Sequence, residues 1–407
     1  MQDHQAANPL GTTGHAASEV ASEVAVHVVT GATGFVGGAL VLELLEHTRD
    51  DIVCLVRPGE QDVQERLWQA LDKAVAAYQT PAAVAASIRS RVTALAGDVE
   101  LPMCGVNLAE LPRRNYRSFW HSAASLRFED RHADQIMRSN IDGTRHALAL
   151  ATEMGIFDFN SMSTAYVAGN LTGDIPELRN AAVVSNNLYE KSKVAAEGLI
   201  LEASHFALRV FRPSIVIGHS RTYGATNFTG MYGMLRQLFN FQGVMARTQE
   251  NLLQTERLRL RADVGIPVDL VPVDRVVANA VKVYLATRAD IRPGEATVYH
   301  LNNPTPPTID ALLNVLFRKA GIALPIYLTR DDQLGEMQWL DEQFNNRIEF
   351  YRTYFRNHKQ FQRQQLERWI GAEDLSAYHM PDEVLERYCD WYLNILVAER
   401  AAMPTSR

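Results

Sequence analysis

The sequence has no apolar run that approaches the roughly 18 residues needed to cross a bilayer as a helix. We therefore expect no membrane span. Residues 1–23 contain no basic start followed by an apolar segment, which argues against a secretory signal. They are rich in Ala, Ser, Thr, Gly and His, which predicts a mobile N-terminal tail. These features favour a cytoplasmic protein.

Cysteine is also scarce. Cys54, Cys104 and Cys389 are far apart and have no metal-ligand spacing, so we expect reduced thiols and no metal site. The net charge of −7 argues against a nucleic-acid-binding protein. No G-x-S-x-G elbow follows a predicted strand, which argues against a serine hydrolase. What remains is an ordinary globular composition, 47% apolar over 407 residues, with room for a large domain and a smaller one.

A glycine turn separates an apolar run at residues 24–29 from a helical pattern. This strand–turn–helix order is typical of dinucleotide binding. Gly31 permits the tight turn, Gly34 lets the backbone approach a pyrophosphate, and Gly37 allows close helix–strand packing. The anion would lie on the free N–H groups of the helix start. The G-x-x-G-x-x-G spacing resembles the extended branch of the short-chain dehydrogenase/reductase superfamily. The predicted cofactor contacts here are Gly31, Thr33, Gly34, Phe35, Val36 and Gly37.

The end of the second predicted strand, residues 52–56, indicates the cofactor. An acidic residue there would bind the adenosine ribose of NAD, whereas a basic residue accommodates the 2′-phosphate of NADP. The strand ends in Arg57, while Asp50 and Asp51 precede it. Arg66, on the following helix, can add a second guanidinium to the same phosphate. The sequence therefore predicts NADP(H).

Two further steps resemble the superfamily. The third predicted strand, from residue 92, ends in Gly-Asp-Val, and the resemblance implies that Asp98 and Val99 meet the adenine. The fourth ends in small residues, and the resemblance implies that Ala123 and Ala124 pass against the cofactor. Ser122 departs from this pattern, because the family usually has Asn there.

The strongest catalytic signal is Tyr-x-x-x-Lys. Tyr189 and Lys193 lie four apart in a helical pattern and share one helix face. A tyrosine with a pKa of about 10 is a poor acid–base group near neutrality, and we expect the lysine ammonium to lower that pKa. Thr164, at the end of the fifth strand, would hold the substrate carbonyl oxygen, with Ser163 as the second choice. Asn140 lies in an N-x-x-G-T sequence, and the resemblance implies that it supports the active site.

The sixth strand leads into R-P-x-x-V-x-G, residues 212–218, which resembles a step whose backbone meets the nicotinamide carboxamide. The cofactor contacts expected from it are Pro213, Ser214 and Val216. We predict an α/β fold, a doubly wound parallel Rossmann sheet with a smaller, discontinuous, mainly helical substrate-binding cap. Residues 24–218, completed by 268–303, would bind NADP. Residues 219–267 and 304–407 would form the cap.

Two stretches of the predicted cap bear on the substrate. The first is apolar and Met-rich and would line a channel for an acyl chain or a pantetheine arm, unless it forms core or a dimer contact. Its residues are Phe228, Met231, Tyr232, Met234, Leu235, Leu238, Phe239 and Phe241. The second, residues 347–368, interleaves basic and aromatic residues and would meet CoA phosphates or an acidic carrier, although a solvated amphipathic helix is the more ordinary interpretation.

The strand end Leu55-Val56-Arg57 and residues 163–167 resemble the thioester reductase and fatty acyl-CoA reductase group, called male-sterility-like. That resemblance implies NADPH-dependent reduction of an acyl thioester, on CoA or an acyl carrier protein, to an aldehyde, with further reduction to alcohol left open. One alternative is a ketone, aldehyde or sugar-nucleotide oxidoreductase or epimerase with the same three residues. A second is a non-catalytic NADP-sensing protein. The sequence leaves homodimer formation open.

Overall fold

The computed structural model describes residues 24–127, 130–179, 183–249, 251–330, 337–354, 358–371 and 375–402. Residues 1–23, predicted as a mobile tail, lie outside the described residues.

The strands are, in chain order, β1 (Ala25–Thr30), β2 (Asp51–Val56), β3 (Val92–Ala96), β4 (Asn115–His121), β5 (Asp158–Met162), β6 (Gly173–Ile175), β7 (Ala207–Pro213), β8 (Ile215–Ile217), β9 (Arg259–Arg261), β10 (Leu270–Pro272), β11 (Ala296–Leu301), β12 (Ile326–Leu328) and β13 (Lys359–Phe361). Every residue of β1 and β7 is buried, as expected for strands covered on both faces.

The helices are α1 (Phe35–His47), α2 (Val63–Tyr78), α3 (Ala82–Arg91), α4 (Ala133–Met137), α5 (Gly143–Glu153), α6 (Leu188–Glu202), α7 (Met231–Thr248), α8 (Leu252–Thr255), α9 (Val273–Thr287), α10 (Ile309–Lys319), α11 (Trp339–Arg347), α12 (Gln364–Ile370) and α13 (Asp382–Ala402). A π-helical turn spans Arg138–Asp142, and 3₁₀ turns include Ala165–Ala168 and Glu349–Tyr354.

Seven strands form one parallel sheet in the order β3-β2-β1-β4-β5-β7-β11. Val28 of β1 lies opposite Val53 on one side and Phe119 on the other, so the strand order reverses at β1. Doubly wound sheets bind ligands in the crevice that this reversal leaves at the carboxyl ends of the strands. The predicted fold class is confirmed.

Separate apolar cores cover the sheet and build the cap. Side chains of α1, α2 and α9 pack in one cluster on the sheet, and side chains of α5 and α6 pack in another. A third cluster joins α7, α10, α11 and α13. Its members include Leu235, Leu316, Phe344 and Tyr392. These four helices therefore form a body with its own core beside the crevice.

Within the described residues, three short strand pairs lie outside the main sheet, and one of them joins the cap to the sheet domain. β8 pairs with β10, β9 with β12, and β6 with β13. The last pair joins the segment after β5 to Lys359–Phe361, which brings the preceding turn near the crevice. Tyr354 of that turn packs edge-on against Tyr166, with ring centroids 4.8 Å apart. In the part of the chain that the structure describes, no helix has both the length and the apolar character needed to cross a membrane.

Candidate active site

The glycine turn has the geometry of an anion cradle. Gly31 has a φ of +76°, and a Cβ on it would lie 2.7 Å from the backbone nitrogen of Ala123. A Cβ on Gly37 would clash with the Gly31 carbonyl. Helix α1 begins at Phe35 without a side-chain cap, so its first N–H groups remain available to an anion. This arrangement fits the pyrophosphate of a dinucleotide.

Thr30, at the end of β1, holds the neighbouring strand end against the glycine turn. Its buried Oγ1 accepts hydrogen bonds from the backbone N–H groups of Ser122 and Ala123, each at 3.2 Å. It also lies 2.9 Å from Nδ1 of His121. A glycine at position 31 is therefore needed, because any Cβ there would meet the backbone of Ser122 and Ala123.

The adenosine end of the crevice carries a charge network. Arg57 Nε lies 3.1 Å from Asp98 Oδ2, and Arg57 Nη2 lies 3.4 Å from Glu100 Oε1. Arg66 Nη1 donates to the Arg57 carbonyl at 2.7 Å. Glu100 also accepts a hydrogen bond from the Ser139 hydroxyl. A phosphate bound here would share Arg57 with two carboxylates, and the sequence alone did not indicate this pairing.

One face of α6 carries the predicted catalytic pair. Asn187 caps the helix, since its Oδ1 accepts the Glu190 N–H at 2.9 Å. Tyr189 and Lys193 follow one turn apart, and Lys193 Nζ donates to the Met162 carbonyl at 2.9 Å. Glu197 continues the same face by another turn. The helix therefore sets all three side chains against the carboxyl ends of β5 and β7.

The two candidate hydroxyls have different partners. The Ser163 hydroxyl donates to Glu197 Oε2 at 2.8 Å, away from Tyr189. Glu197 also forms a buried ion pair with Arg212, whose Nε lies 3.1 Å away. Thr164 hydrogen-bonds to Tyr189 instead. Of the two hydroxyls, the one on Thr164 is therefore the one that lies beside the Tyr189 phenol.

The pKa of Tyr189 is raised, whereas the sequence led us to expect that Lys193 lowers it. Burial raises it to about 12, while the hydrogen bond from Thr164 lowers it and Glu190 raises it further. Burial also lowers the pKa of Lys193 to about 8, against the raising effect of Glu197. Burial is the largest cause of both shifts, because it disfavours the charged form of each group. Tyr189 is consequently protonated at neutral pH.

Asn140 lies behind the wall of the crevice. It is 2% exposed within the π-helical turn. Its Oδ1 accepts the Ser125 N–H at 2.7 Å, and its Nδ2 donates to Ser192 Oγ at 2.8 Å. Asn140 thus ties the loop after β4 to α6 through Ser192, the neighbour of Lys193.

One cavity of about 780 Å³ connects these parts. This volume is in the upper part of the range of about 300–1,000 Å³ typical of small-molecule sites. With the exception of Asn140, every site residue predicted from the sequence lines it. These residues are Gly31, Thr33, Gly34, Phe35, Val36, Gly37, Arg57, Arg66, Asp98, Val99, Ala123, Ala124, Thr164, Tyr189, Lys193, Pro213, Ser214 and Val216.

The Met-rich stretch contributes both to the wall of the cavity and to the core of the cap. Phe228, Met231 and Met234 line the cavity. Other members are buried in the cap core or pack against it: Tyr232, Leu235, Leu238, Phe239 and Phe241. Helical spacing alone could not separate the two sets, because each lies on an adjoining face of α7.

The basic-aromatic stretch is not a single amphipathic helix. It contains the end of α11, a 3₁₀ turn, β13 and most of α12. Tyr351 and Tyr354 line the cavity, whereas Arg363 is buried and donates to the Asn302 carbonyl at 2.9 Å. Phe355 and Arg356 lie outside the described residues.

Several wall residues were not predicted as site residues. Tyr166 and Tyr354 pack edge-on beside Tyr189, and the structure places Arg236 and Gln237 of α7 on the cap side. Tyr166 was visible as part of the sequence step at residues 163–167. The contact between Tyr166 and Tyr354 has no local signal, because the two lie far apart in the chain.

A family model for male sterility proteins matches residues 29–281. The chain belongs to this family. Human fatty acyl-CoA reductase 2 is 26% identical over 311 residues, covering 68% of this chain and 57% of the relative. Glycine betaine reductase ATRR of Emericella nidulans is 27% identical, covering 69% of this chain and 21% of the relative. The chain therefore spans only part of the length of these two relatives.

Solved structures share the fold. The terminal R domain of the myxalamid PKS-NRPS biosynthetic pathway aligns with a TM-score of 0.70 and 22% identity, covering 95% of this chain and 94% of the other. A thiolation-reductase di-domain of an archaeal non-ribosomal peptide synthetase aligns with a TM-score of 0.65 and 18% identity, covering 92% and 91%. Membership of the male sterility family places this chain in the extended short-chain dehydrogenase/reductase group, whose fold carries a site for a nicotinamide cofactor.

Proposed function

We propose that this protein reduces acyl thioesters with NADPH, using Thr164, Tyr189 and Lys193. The observation that supports this most directly is continuity of the cavity. Its wall runs from the glycine turn past these three residues to Met231 and Met234 of the cap. A nicotinamide site that opens onto an apolar compartment suits a substrate with an acyl chain.

In this proposal residues 24–218, with 268–303, hold the cofactor, and residues 219–267 and 304–407 hold the substrate. The glycine turn and the start of α1 bind the pyrophosphate, and Arg57 and Arg66 bind the 2′-phosphate. When bound, NADPH supplies the hydride.

Tyr189 donates the proton. Its raised pKa keeps it protonated at neutral pH, which a reductase needs in its proton donor. Thr164 donates a hydrogen bond to the carbonyl oxygen, where negative charge develops. Lys193 holds its positive charge at the same end of the cavity and lies within one helical turn of Tyr189, so it favours the tyrosinate left after proton transfer.

The substrate carbon then carries a hydroxyl, a hydrogen and the thiol sulfur. Collapse of this hemithioacetal breaks the carbon–sulfur bond, returns the hydroxyl proton to the tyrosinate or solvent, and yields an aldehyde. The sulfur leaves as a thiolate and takes a proton from solvent to become a free thiol. Reduction of the aldehyde to an alcohol would repeat the hydride and proton transfers on a second NADPH.

CoA or a carrier protein is the proposed source of the thioester. Relatives named fatty acyl-CoA reductase 2, together with a structurally similar thiolation-reductase di-domain, support these two carriers. The cavity does not favour either, since its apolar cap wall contacts the acyl end.

Thiol release coupled to NADPH oxidation tests the function. We expect one thiol, detected with a thiol-reactive dye, for each first equivalent of NADPH consumed with an acyl-CoA or acyl-carrier substrate. Tyr189→Phe should keep NADPH binding and lower turnover by roughly 10²-fold. NADPH oxidation with ketones or sugar nucleotides, without thiol release from any thioester, would favour the alternative oxidoreductase. NADPH binding without turnover of either class would favour a sensor.

A further inference from the structure

Arg236 is a cation in the cap wall of the cavity without a carboxylate partner in the part of the chain that the structure describes. Its Nε donates to the Tyr392 hydroxyl at 2.5 Å, and its guanidinium lies 5.6 Å from the centre of that ring. Tyr392 is fully buried, and burial raises its pKa. The phenol is therefore neutral and cannot balance the charge. Arg57, at the other end of the cavity, has two carboxylates beside it.

Methionine and leucine side chains line the cap side of the cavity together with Arg236. Met231 and Met234 lie on the same helix and are almost fully buried, and Leu312 and Leu316 of α10 line the same compartment. A half-buried guanidinium in such a wall loses much of its hydration, and this cost is recovered only when an anion pairs with it. Arginine also suits carboxylates, because its planar fork binds both oxygens.

The position of Arg236 limits where that anion lies. Gly230, just before α7, packs against Ile215 at the proposed nicotinamide end, with its Cβ position 3.2 Å from Ile215 Cγ2. Arg236 lies six residues after Gly230, so the helix rises about 9 Å between the two residues. Tyr392, the partner of the guanidinium, packs on Phe228 and Tyr232 at centroid distances of 4.8 and 5.2 Å, and Phe228 lines the cavity.

We propose that Arg236 binds a carboxylate on the acyl group, so that the preferred substrate is a thioester of a short dicarboxylic acid. This assignment rests on the proposed thioester reductase function. At about 1.2 Å per bond of extended chain, a carboxylate five to seven bonds from the thioester carbon reaches about 6–8 Å, which is comparable with the rise of about 9 Å along α7 between Gly230 and Arg236. The phosphate of a pantetheine arm lies about 16 Å from the sulfur by the same measure.

The test compares adipoyl-CoA with hexanoyl-CoA, which have acyl chains of equal length and differ in the terminal carboxylate. Purified full-length protein is assayed for kcat/KM by NADPH oxidation, with Arg236→Gln, Arg236→Lys and the control Arg347→Gln. Arg347 is an exposed cap arginine whose guanidinium lies 5.5 Å from the Phe241 ring, and it does not line the cavity.

We expect the unmodified protein to favour adipoyl-CoA by about tenfold or more, the effect of one charge-assisted hydrogen bond. Arg236→Gln should remove this preference with little change for hexanoyl-CoA, Arg236→Lys should keep part of it, and Arg347→Gln should leave it intact. Equal loss for both substrates in Arg236→Gln would overturn the assignment. The assignment would also be overturned if Arg236→Gln lowered turnover of acyl-phosphopantetheine but not of acyl-pantetheine. In that case Arg236 would bind the phosphate of the pantetheine arm.

Failure of the thioester step itself gives a different pattern. If both CoA esters are inert, 6-oxohexanoate and hexanal are compared in the aldehyde step. A preference for 6-oxohexanoate that depends on Arg236 supports the carboxylate site and shows that only the thioester proposal is wrong. Equal rates, or inert aldehydes, overturn the carboxylate site as well.

Discussion

Exchanging the two neighbouring hydroxyls, Ser163 and Thr164, separates a structural hydroxyl from a catalytic one. Ser163→Ala removes a hydrogen bond to the buried carboxylate of Glu197. Hydrogen bonds to charged groups contribute about 1.5–3 kcal/mol, so the free energy of unfolding should fall by about that amount. Turnover should stay within about threefold, because the Ser163 hydroxyl points away from Tyr189.

Thr164→Val keeps the shape of the side chain and removes the hydroxyl. Loss of one donor to a developing oxyanion costs about 10²–10³ in kcat. The structural cost should be small. The hydroxyl caps a short turn by accepting the Tyr166 N–H at 3.2 Å, and losing such a cap costs about 0.5–2 kcal/mol. Thr164→Ser is the matched control and should retain most of the activity.

The two variants are compared by single-turnover NADPH oxidation with an acyl-CoA and by urea unfolding followed by circular dichroism. The expected result is a crossed one, with stability lost mainly in Ser163→Ala and turnover lost mainly in Thr164→Val. If Ser163→Ala abolishes turnover while Thr164→Val stays active, the reasoning from the Glu197 hydrogen bond is refuted and Ser163 becomes the catalytic hydroxyl.

Four further predictions concern charged residues. Arg57→Ala should erase most of an at least tenfold preference for NADPH over NADH, about 1.4 kcal/mol, in fluorescence titrations. Glu100→Gln should strengthen NADPH binding about two- to fivefold, the range for an exposed ion pair, without affecting NADH; equal responses of both cofactors would contradict this. Because burial lowers the pKa of Lys193 to about 8, the lysine is charged below that pH, and kcat/KM should fall as the pH rises through about 8. A profile that is flat up to pH 9.5 would argue against a role for that charge. Glu197→Gln should lower the free energy of unfolding by about 3–5 kcal/mol in thermal unfolding, because it leaves Arg212 buried and unpaired. Adding Arg212→Met should restore most of that stability. A loss below about 1 kcal/mol in the single variant would contradict the buried pair.

Local patterns predicted the parts of the site that depend on backbone geometry. A strand, a turn and a helix are each formed by neighbours in the chain, so the glycine spacing indicated the turn before any contact was known. The four-residue spacing placed Tyr189 and Lys193 on one helix face for the same reason. Their pKa directions were not accessible in this way. Burial sets them, and burial comes from elements packed on α6 from elsewhere in the chain.

By itself, the sequence determined the doubly wound sheet, the glycine turn and the residues that meet at the carboxyl ends of its strands. These follow from short-range periodicity and from the rule that parallel strands end at the same edge. Only the tertiary structure decided which hydroxyl faces Tyr189, which carboxylates flank Arg57, and that Arg236 has Tyr392 as its partner across 156 residues of chain. Such pairings depend on how separate elements of the chain pack together, and side chains brought together by packing leave no spacing in the sequence.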